Sequence, residues 1–283
     1  MQNGRNKTIR FTKASACGND FLIVSAFEDD ANLAEISRAL CDRHNGVGAD
    51  GAEWVFSDSQ ADARVRLFNA DGSEAEISGN GTRCVAAEIC SRAAKQKVVI
   101  RTEAGLKTCK LMKREGTTFE FESAMGSAII GEQLTVEVAS RAGREFVTGV
   151  PVSTGNPHFV ILCESFPDGW QRQAAAIQKL LQFPQGTNVE YVVVRGTHKS
   201  AHEMSHEIDI RLFERGVGET LSSGTGSCAA AVAAIASGRV SSPVTVVAPG
   251  GTQTVRSEEQ VYLRGPATLI CQGEYFIQED VGR

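Results

Sequence analysis

The chain has 283 residues, which at roughly 150 residues per domain is enough for about two domains. Its 42% hydrophobic and 22% charged residues mark a globular chain that can bury a core rather than a disordered one. A net charge of −5 without a Lys/Arg stripe excludes the footprint of a nucleic-acid binder, and no run reaches the ~18 apolar residues of a membrane span. With no apolar leader core near Met1 either, the expected setting is cytoplasmic, with neither nucleic acid nor membrane as partner.

Short β-type runs bounded by Gly, Asn and Asp dominate the chain. They begin with TIRFTKA (8–14) and DFLIVSA (20–26), followed by a helical pattern over LAEISRALCDRH (33–44). ARVRLFNA (63–70) predicts another strand, and TRCVAAEICSRAAKQ (82–96) a second helix. Val85, Ile89 and Ala93, with Ala86, Cys90 and Ala94 beside them, make one apolar stripe, which predicts a helix packed by that face onto a sheet or barrel. Strands follow at KVVIRTEA (97–104), KTCKLMK (107–113) and TTFEFESA (117–124), then a helix over DGWQRQAAAIQKLLQ (168–182). EYVVVRG (190–196) and EIDIRLFE (207–214) lead to a fourth helix, GSCAAAVAAIASG (226–238), apolar nearly all round and suited to a sheet-wrapped core. PVTVVAPG (243–250), QVYLRG (260–265) and EYFIQE (274–279) complete the series. The eight cysteines lack the spacing of a disulfide framework or zinc ribbon and read as reduced, mostly buried thiols.

One segment occurs twice. RLFNADGSEAEISGNGTRC (66–84) returns as RLFERGVGETLSSGTGSC (211–228), so that Glu74 falls on Glu219, Ser78 on Ser223, Gly79 on Gly224 and Gly81 on Gly226. A looser echo pairs GNDFLIV (18–24) with GNPHFVIL (155–162). Each half therefore reads as strands around a small-residue helix, entered through a Gly-rich turn. Backbone N–H groups at a helix N-terminus favour a bound anion. A lone G-x-G more often just permits tight entry into a helix, but repetition with the flanking serine and glutamate kept argues for a duplicated site. Two mirrored turns suit inversion of a stereocentre beside a carboxylate. One group removes the Cα proton, a second returns a proton on the opposite face, and the turns hold the carboxylate and the developing charge. Ser78 and Ser223 occupy the two symmetric positions.

The motifs ACGNDFLIV (16–24), CDRHNGVGADG (41–51), FNADGSEAEISGNGTRC (68–84), TGNPHFV (154–160), GTNVEYV (186–192) and ERGVGETLSSGTGSCAA (214–230) span nearly the full length. In this order they resemble diaminopimelate epimerase, which interconverts LL- and meso-2,6-diaminopimelate without a cofactor in the supply of lysine and peptidoglycan precursors. The resemblance implies an α+β fold of two similar domains related by a pseudo-two-fold axis, each a strand-rich barrel around a central helix. The boundaries expected are 1–122, joined by a C-terminal strand at 270–283, and 123–269. The resemblance also implies a small amino-acid substrate, no cofactor and no metal. Dimerisation is usual in that family, so a homodimer is the assembly implied, although no segment here signals one.

Carried over by motif, contacts to the non-reacting end of the substrate fall on Asn69, Asn156, Asn188 and Arg215. The reacting carboxylate falls to Gly79 and Asn80 on one side and to Gly224 and Thr225 on the other; Asn19 lines the site, and His158 and Glu214 flank the reacting centre. Amide, Arg and Glu partners suit a substrate with two carboxylates and two ammonium groups, which an apolar cleft would leave unpaired.

This sequence departs from the family at its chemistry. The family's acid/base residues are cysteines, in turns reading CGNG and CGTG, where this chain has Ser78 and Ser223. A thiol titrates near 8.5 and lower still at a helix N-terminus, whereas a serine hydroxyl needs an adjacent base. Three explanations stand: engineered replacement, a natural lineage in which serines act with His158 or Glu214 as partner bases, or a homologue that binds without turnover, has moved to a related reaction such as elimination, or racemises another amino acid. Cys17 reads as a packed turn residue. A zinc-protease pattern, His202-Glu203-Met204-Ser205-His206, requires a helix, but it runs into Ile208, Ile210 and Leu212 alternating as in a strand, and is read as a solvated loop or strand start.

Overall fold

The computed structural model describes residues 8–26, 32–140, 143–199 and 204–277. In chain order the elements are β1 (Thr8–Ala16), β2 (Asn19–Ser25), α1 (Leu33–Cys41), β3 (Gly51–Phe56), β4 (Ala63–Asn69), β5 (Glu74–Ala75), α2 (Gly79–Arg92), β6 (Lys97–Thr102), β7 (Gly105–Glu115) and β8 (Thr118–Gly126). They continue with β9 (Ile129–Ile130), β10 (Leu134–Ser140), β11 (Gly143–Ser153), β12 (Pro157–Cys163), α3 (Trp170–Ile177), β13 (Asn188–Lys199) and β14 (Met204–Glu214). The last are β15 (Gly218–Thr220), α4 (Gly224–Ala236), β16 (Val244–Ala248), β17 (Gly251–Ser257) and β18 (Val261–Phe276). The chain divides into unit 1, residues 1–123 with 266–283, and unit 2, residues 124–265.

In unit 1 the pairings β1–β2, β2–β3, β3–β4, β4–β6, β6–β7, β7–β8, β8–β18 and β18–β1 return to their start, so eight strands close a barrel. Two of these pairs, β2–β3 and β4–β6, are parallel. Closure leaves no edge strand in the ring, and the interior is filled by α2. Around that helix lie Ala14, Phe21, Ile23, Val65, Leu67, Ile100, Phe119 and Phe121, with Cys84, Val85, Ala86 and Ala87 of the helix itself among them. A second core lies outside the ring, where Leu33, Leu40 and Cys41 of α1 pack with Leu22, Val24, Trp54 and Phe68.

Unit 2 repeats the plan. β11, β12, β13, β14, β16, β17 and β18 pair in that order, β12–β13 and β14–β16 are its parallel pairs, and β9 flanks β11. Its central helix α4 is buried from Gly226 to Ala234 with Ile208, Ile210, Leu212, Val246 and Leu263. Its outer helix α3 packs Trp170, Ala174 and Ile177 on Phe159, Val189 and Tyr191. The run of Ala229, Ala230, Ala231, Ala233 and Ala234 explains how a helix fits inside a barrel: small side chains let the surrounding strands approach it.

α2 differs from its expectation. It starts at Gly79 rather than Thr82, ends at Arg92, and gives way to an extended Ala93, so Ala93 and Ala94 extend no stripe. Every residue from Asn80 to Glu88 is buried. An enclosing barrel leaves no solvent face, so polar side chains within the helix find protein partners instead: Arg83 reaches Asn80 Oδ1 and the Pro266 carbonyl, and Thr12 Oγ1 donates to Glu88 Oε1 at 3.5 Å.

His202 and Glu203 of the zinc-protease pattern lie outside the described residues. His206 belongs to strand β14, paired with Thr197 and Val244, and Ile208, Ile210 and Leu212 beyond it are fully buried, in keeping with the alternation. No helix among the described residues is long and apolar enough to cross a membrane.

Candidate active site

In unit 1 the turn before α2 is built by its serine. Ser78 is the N-cap, with extended backbone (φ −123°, ψ 122°), and its Oγ accepts from Gly81 N at 3.1 Å while its carbonyl accepts from Thr82 N at 2.8 Å. Asn80 is held from both sides, donating to Asn19 Oδ1 at 2.6 Å and accepting from Arg83 Nη2. Asn19 in turn donates to Asp50 Oδ2 at 3.2 Å, and Arg43 bridges Asp50 and Asp20 with contacts of 2.7 Å to each. Burial opposes ionisation of Asp20, but Arg43 and Lys13 overcome it and hold that carboxyl at about 2. Asn69 ends β4 exposed and donates to Ser73 Oγ at 3.0 Å.

Cys17 neighbours this network, buried at a left-handed turn (φ 50°), with Arg83 Nη2 at 3.9 Å from its sulfur. Burial raises its pKa and Arg83 only partly opposes the rise, which keeps it a packed thiol.

Unit 2 repeats the turn with different neighbours. Ser223 caps α4 (φ −143°, ψ 128°), accepting from Gly226 N at 3.3 Å, and its hydroxyl donates to Glu214 Oε2 at 3.1 Å. The other Glu214 oxygen accepts from Thr220 Oγ1 at 2.7 Å. Asn156 donates to Thr225 Oγ1 at 3.4 Å and accepts from His158, whose Nε2 lies 2.9 Å from Asn156 Oδ1 and whose Nδ1 lies 2.6 Å from Glu190 Oε1. Both nitrogens of this 1% exposed ring are engaged, so it is Glu214 and not His158 that stands against Ser223. Asn188 spends its amide on local geometry, donating to the Pro157 carbonyl at 3.2 Å and accepting from Arg215 N at 2.8 Å. The Arg215 side chain is exposed and donates to the Gln185 carbonyl.

The expected residues therefore fall into two clusters. Asn19, Asn80 and the Ser78–Gly79 turn form one, with Asn69 nearby in β4; Asn156, His158, Asn188, Glu214, Arg215 and the Ser223–Gly224–Thr225 turn form the other. Where repeated structure places Glu214 beside Ser223, the matching position in unit 1 is Asn69.

Comparison with known proteins follows the same two halves. The profile of the family described as diaminopimelate epimerase matches residues 11–130 and 150–270. The chain belongs to the diaminopimelate epimerase family. It is 35% identical over 284 residues to diaminopimelate epimerase of Desulfitobacterium hafniense, covering 94% of this chain and 97% of that one. It is 36% identical over 287 residues to that of Pelotomaculum thermopropionicum, with coverages of 94% and 99%. In fold it resembles a phenazine biosynthesis protein of the PhzF family from Bacillus anthracis, with TM-score 0.71, 18% identity and coverages of 96% and 100%. It also resembles a hydroxyproline epimerase from Agrobacterium vitis, with TM-score 0.63, 15% identity and coverages of 100% and 96%. The α+β architecture expected of this family, a barrel around a central helix in each half, is the architecture observed.

Two residues beside the clusters went unnoticed in the sequence. Glu53 and Glu190 are buried carboxyls, at 2% and 0% exposure, under the first turns of α2 and α4. Both lie in motifs already singled out or adjacent to them, GADGAEW and GTNVEYV, but a glutamate in a strand reads as a solvent-facing residue until the barrel interior is known.

Proposed function

We propose that this protein epimerises LL- and meso-2,6-diaminopimelate without a cofactor, as a cytoplasmic homodimer serving lysine and peptidoglycan precursor synthesis, with Ser78 and Ser223 each serving one face of the substrate Cα. The observation that carries the reading is the duplicated serine-capped turn at the head of a barrel-enclosed helix, present at matching positions in both units of a member of this family. The backbone N–H groups of Gly79, Asn80, Gly224 and Thr225 lie in first helical turns, where the end of the helix suits a carboxylate and the charge of a deprotonated Cα.

The serines differ in their neighbours, and this gives them different roles. Ser223 shares its proton with the Glu214 carboxylate at 3.1 Å, so its oxygen accepts a Cα proton while its own proton passes to Glu214. Ser78 has Asn69 at the position matching Glu214; in the direction in which Ser223 accepts the Cα proton, Ser78 gives its own, and the oxygen left negative accepts from Gly81 N at 3.1 Å until solvent returns a proton, the reverse direction retracing these steps. Asn19, Asn69, Asn156, Asn188 and Arg215 supply the polar surroundings that a doubly zwitterionic substrate needs, and His158 fixes Asn156 rather than meeting the substrate.

The test is incubation of diaminopimelate with the protein in heavy water. Deuterium at Cα accompanied by inversion is the expected result, and no exchange at high enzyme concentration refutes the catalytic reading. A double variant, Ser78→Cys with Ser223→Cys, should raise the exchange rate by roughly 10²-fold or more, since thiols approach the pKa a proton shuttle needs. If that variant is also inert, the substrate is wrong rather than the acid/base pair.

A further inference from the structure

The looser echo between the halves extends deeper than its sequence suggests. An offset of 137 residues takes Asn19 to Asn156, Phe21 to His158, Gly51 to Asn188 and Glu53 to Glu190. Strand pairing keeps this register: Phe21 faces Gly51 and Ile23 faces Glu53 across β2–β3, while His158 faces Asn188 and Val160 faces Glu190 across β12–β13. On their other side, Glu53 faces Leu67 and Glu190 faces Leu212.

Both carboxyls stand against the second glycine of their turn. A Cβ added to Gly81 would lie 1.8 Å from Glu53 Oε1 and 3.3 Å from the Ser78 Cβ; one added to Gly226 would lie 3.0 Å from Glu190 Oε1 and 3.1 Å from the Ser223 Cβ. The glycines thus leave room for a carboxyl oxygen under each capping serine. The two halves then diverge, because Glu190 Oε1 has the His158 ring at 2.6 Å whereas the matching position in unit 1 is Phe21. Glu53 makes no hydrogen bond or ion pair among the described residues.

We propose that Glu53 is a positioning residue of the first half-site: a neutral carboxylic acid beneath the Ser78–Gly81 turn, whose neutrality lets that turn hold the substrate carboxylate. This rests on the epimerase reading above. Burial alone raises the Glu53 pKa to about 8. Cys84 on α2 is a titratable neighbour of Glu53, and Arg83 on α2, Cys17 in the turn after β1 and Asp20 on β2 act on that same thiol; Cys84 is kept protonated by burial, Cys17 likewise, and Asp20 is ionised but paired with Arg43 and Lys13. Ionised Glu53 would set a negative charge under the helix N-terminus that receives the anion, and the attraction there would fall.

The test compares the wild type with Glu53→Gln, which keeps the shape and removes the titration. Calorimetric titration with meso-diaminopimelate between pH 7 and pH 9.5 should show the wild type losing about tenfold more affinity than the variant, as expected for one like charge in a partly shielded site. Equal losses overturn the proposal. Thermal unfolding gives a second reading independent of substrate. The folded pKa lies above the unfolded value of 4.5, so the unfolded chain gives up the proton first and wild-type stability falls as pH rises from there to about 8. The stability of Glu53→Gln relative to wild type should therefore widen across that window and stay level above it; a constant difference overturns the proposal. If neither protein binds diaminopimelate at any pH, the substrate reading fails while the unfolding data still decide the state of Glu53. If the variant does not fold, carbon-13 spectra of the wild-type glutamate carboxyls decide it, one of them titrating near 8 or none.

Discussion

Under the proposed mechanism a serine at the head of a helix serves two ends. As an N-cap it satisfies a backbone N–H that would otherwise lack a partner, a contribution of about 1 kcal/mol. As the proposed acid or base it is handicapped, since a hydroxyl is a weaker acid than a thiol. Replacing Ser223 by Cys should therefore lower the unfolding free energy by about 1 kcal/mol, read by denaturant titration, while raising proton exchange. Glu214 carries the opposite expectation. Glu214→Gln keeps a hydrogen-bonding group beside Ser223 and Thr220 but removes the carboxylate proposed to take the serine proton, so kcat should fall by about 10²-fold with KM little changed. If KM rises instead and kcat holds, Glu214 binds substrate rather than moving protons.

At the scale of the element, the two Gly-x-Gly turns show that similar glycines answer different needs. A side chain on Gly79 would meet nothing within 4 Å, whereas one on Gly226 would press on Leu212 at 2.7 Å and on Glu190. Gly79→Ala should leave the unfolding midpoint nearly unchanged, and Gly226→Ala should cost about 1–3 kcal/mol as an overpacked core site does. The turns themselves were legible in the sequence because serine and both glycines return at one fixed offset. So was α4, whose alanines predicted enclosure. What lay hidden was the part of the repeat held in strands. Glu53 and Glu190 sit at matching register, but the stretch from Glu190 to Leu212 is eight residues longer than that from Glu53 to Leu67, so the two offsets differ and the relation breaks up in a linear reading. Strands β3 and β17 were missed for a related reason: GAEWVF has Ala52, Trp54 and Phe56 on one face but a buried glutamate on the other, and GTQTVRS buries Gln253, which pairs with Ser227, so in each a polar residue on a packed face breaks the pattern that marks a strand. For α2, the stripe told of packing onto a barrel but not of its extent, because a helix inside a closed ring is buried well beyond one face.

Over the whole molecule, the most consequential element is β18. Its early residues pair with β17, as Leu263 does with Val255, and its later ones pair with β1, as Phe276 does with Thr8. Removing residues 266–283 would take one stave from the first barrel, exposing the edges of β1 and β8 and the apolar interior around α2. Such a truncation should abolish amide protection in β1, β2 and β8 while residues 124–265 keep theirs, as hydrogen exchange would report; equal protection in both stretches would show that the first ring closes without its last strand. The same pairing sets an order on synthesis. Thr12 meets Gln272 across 260 positions of chain, so the barrel whose strands emerge first must wait, with Phe119 and Phe121 lacking their final cover, until nearly all the rest has been made. The second unit is contiguous and carries no such delay. During translation the older half of this protein is the unfinished one, and it is there that a chaperone would find apolar surface to hold.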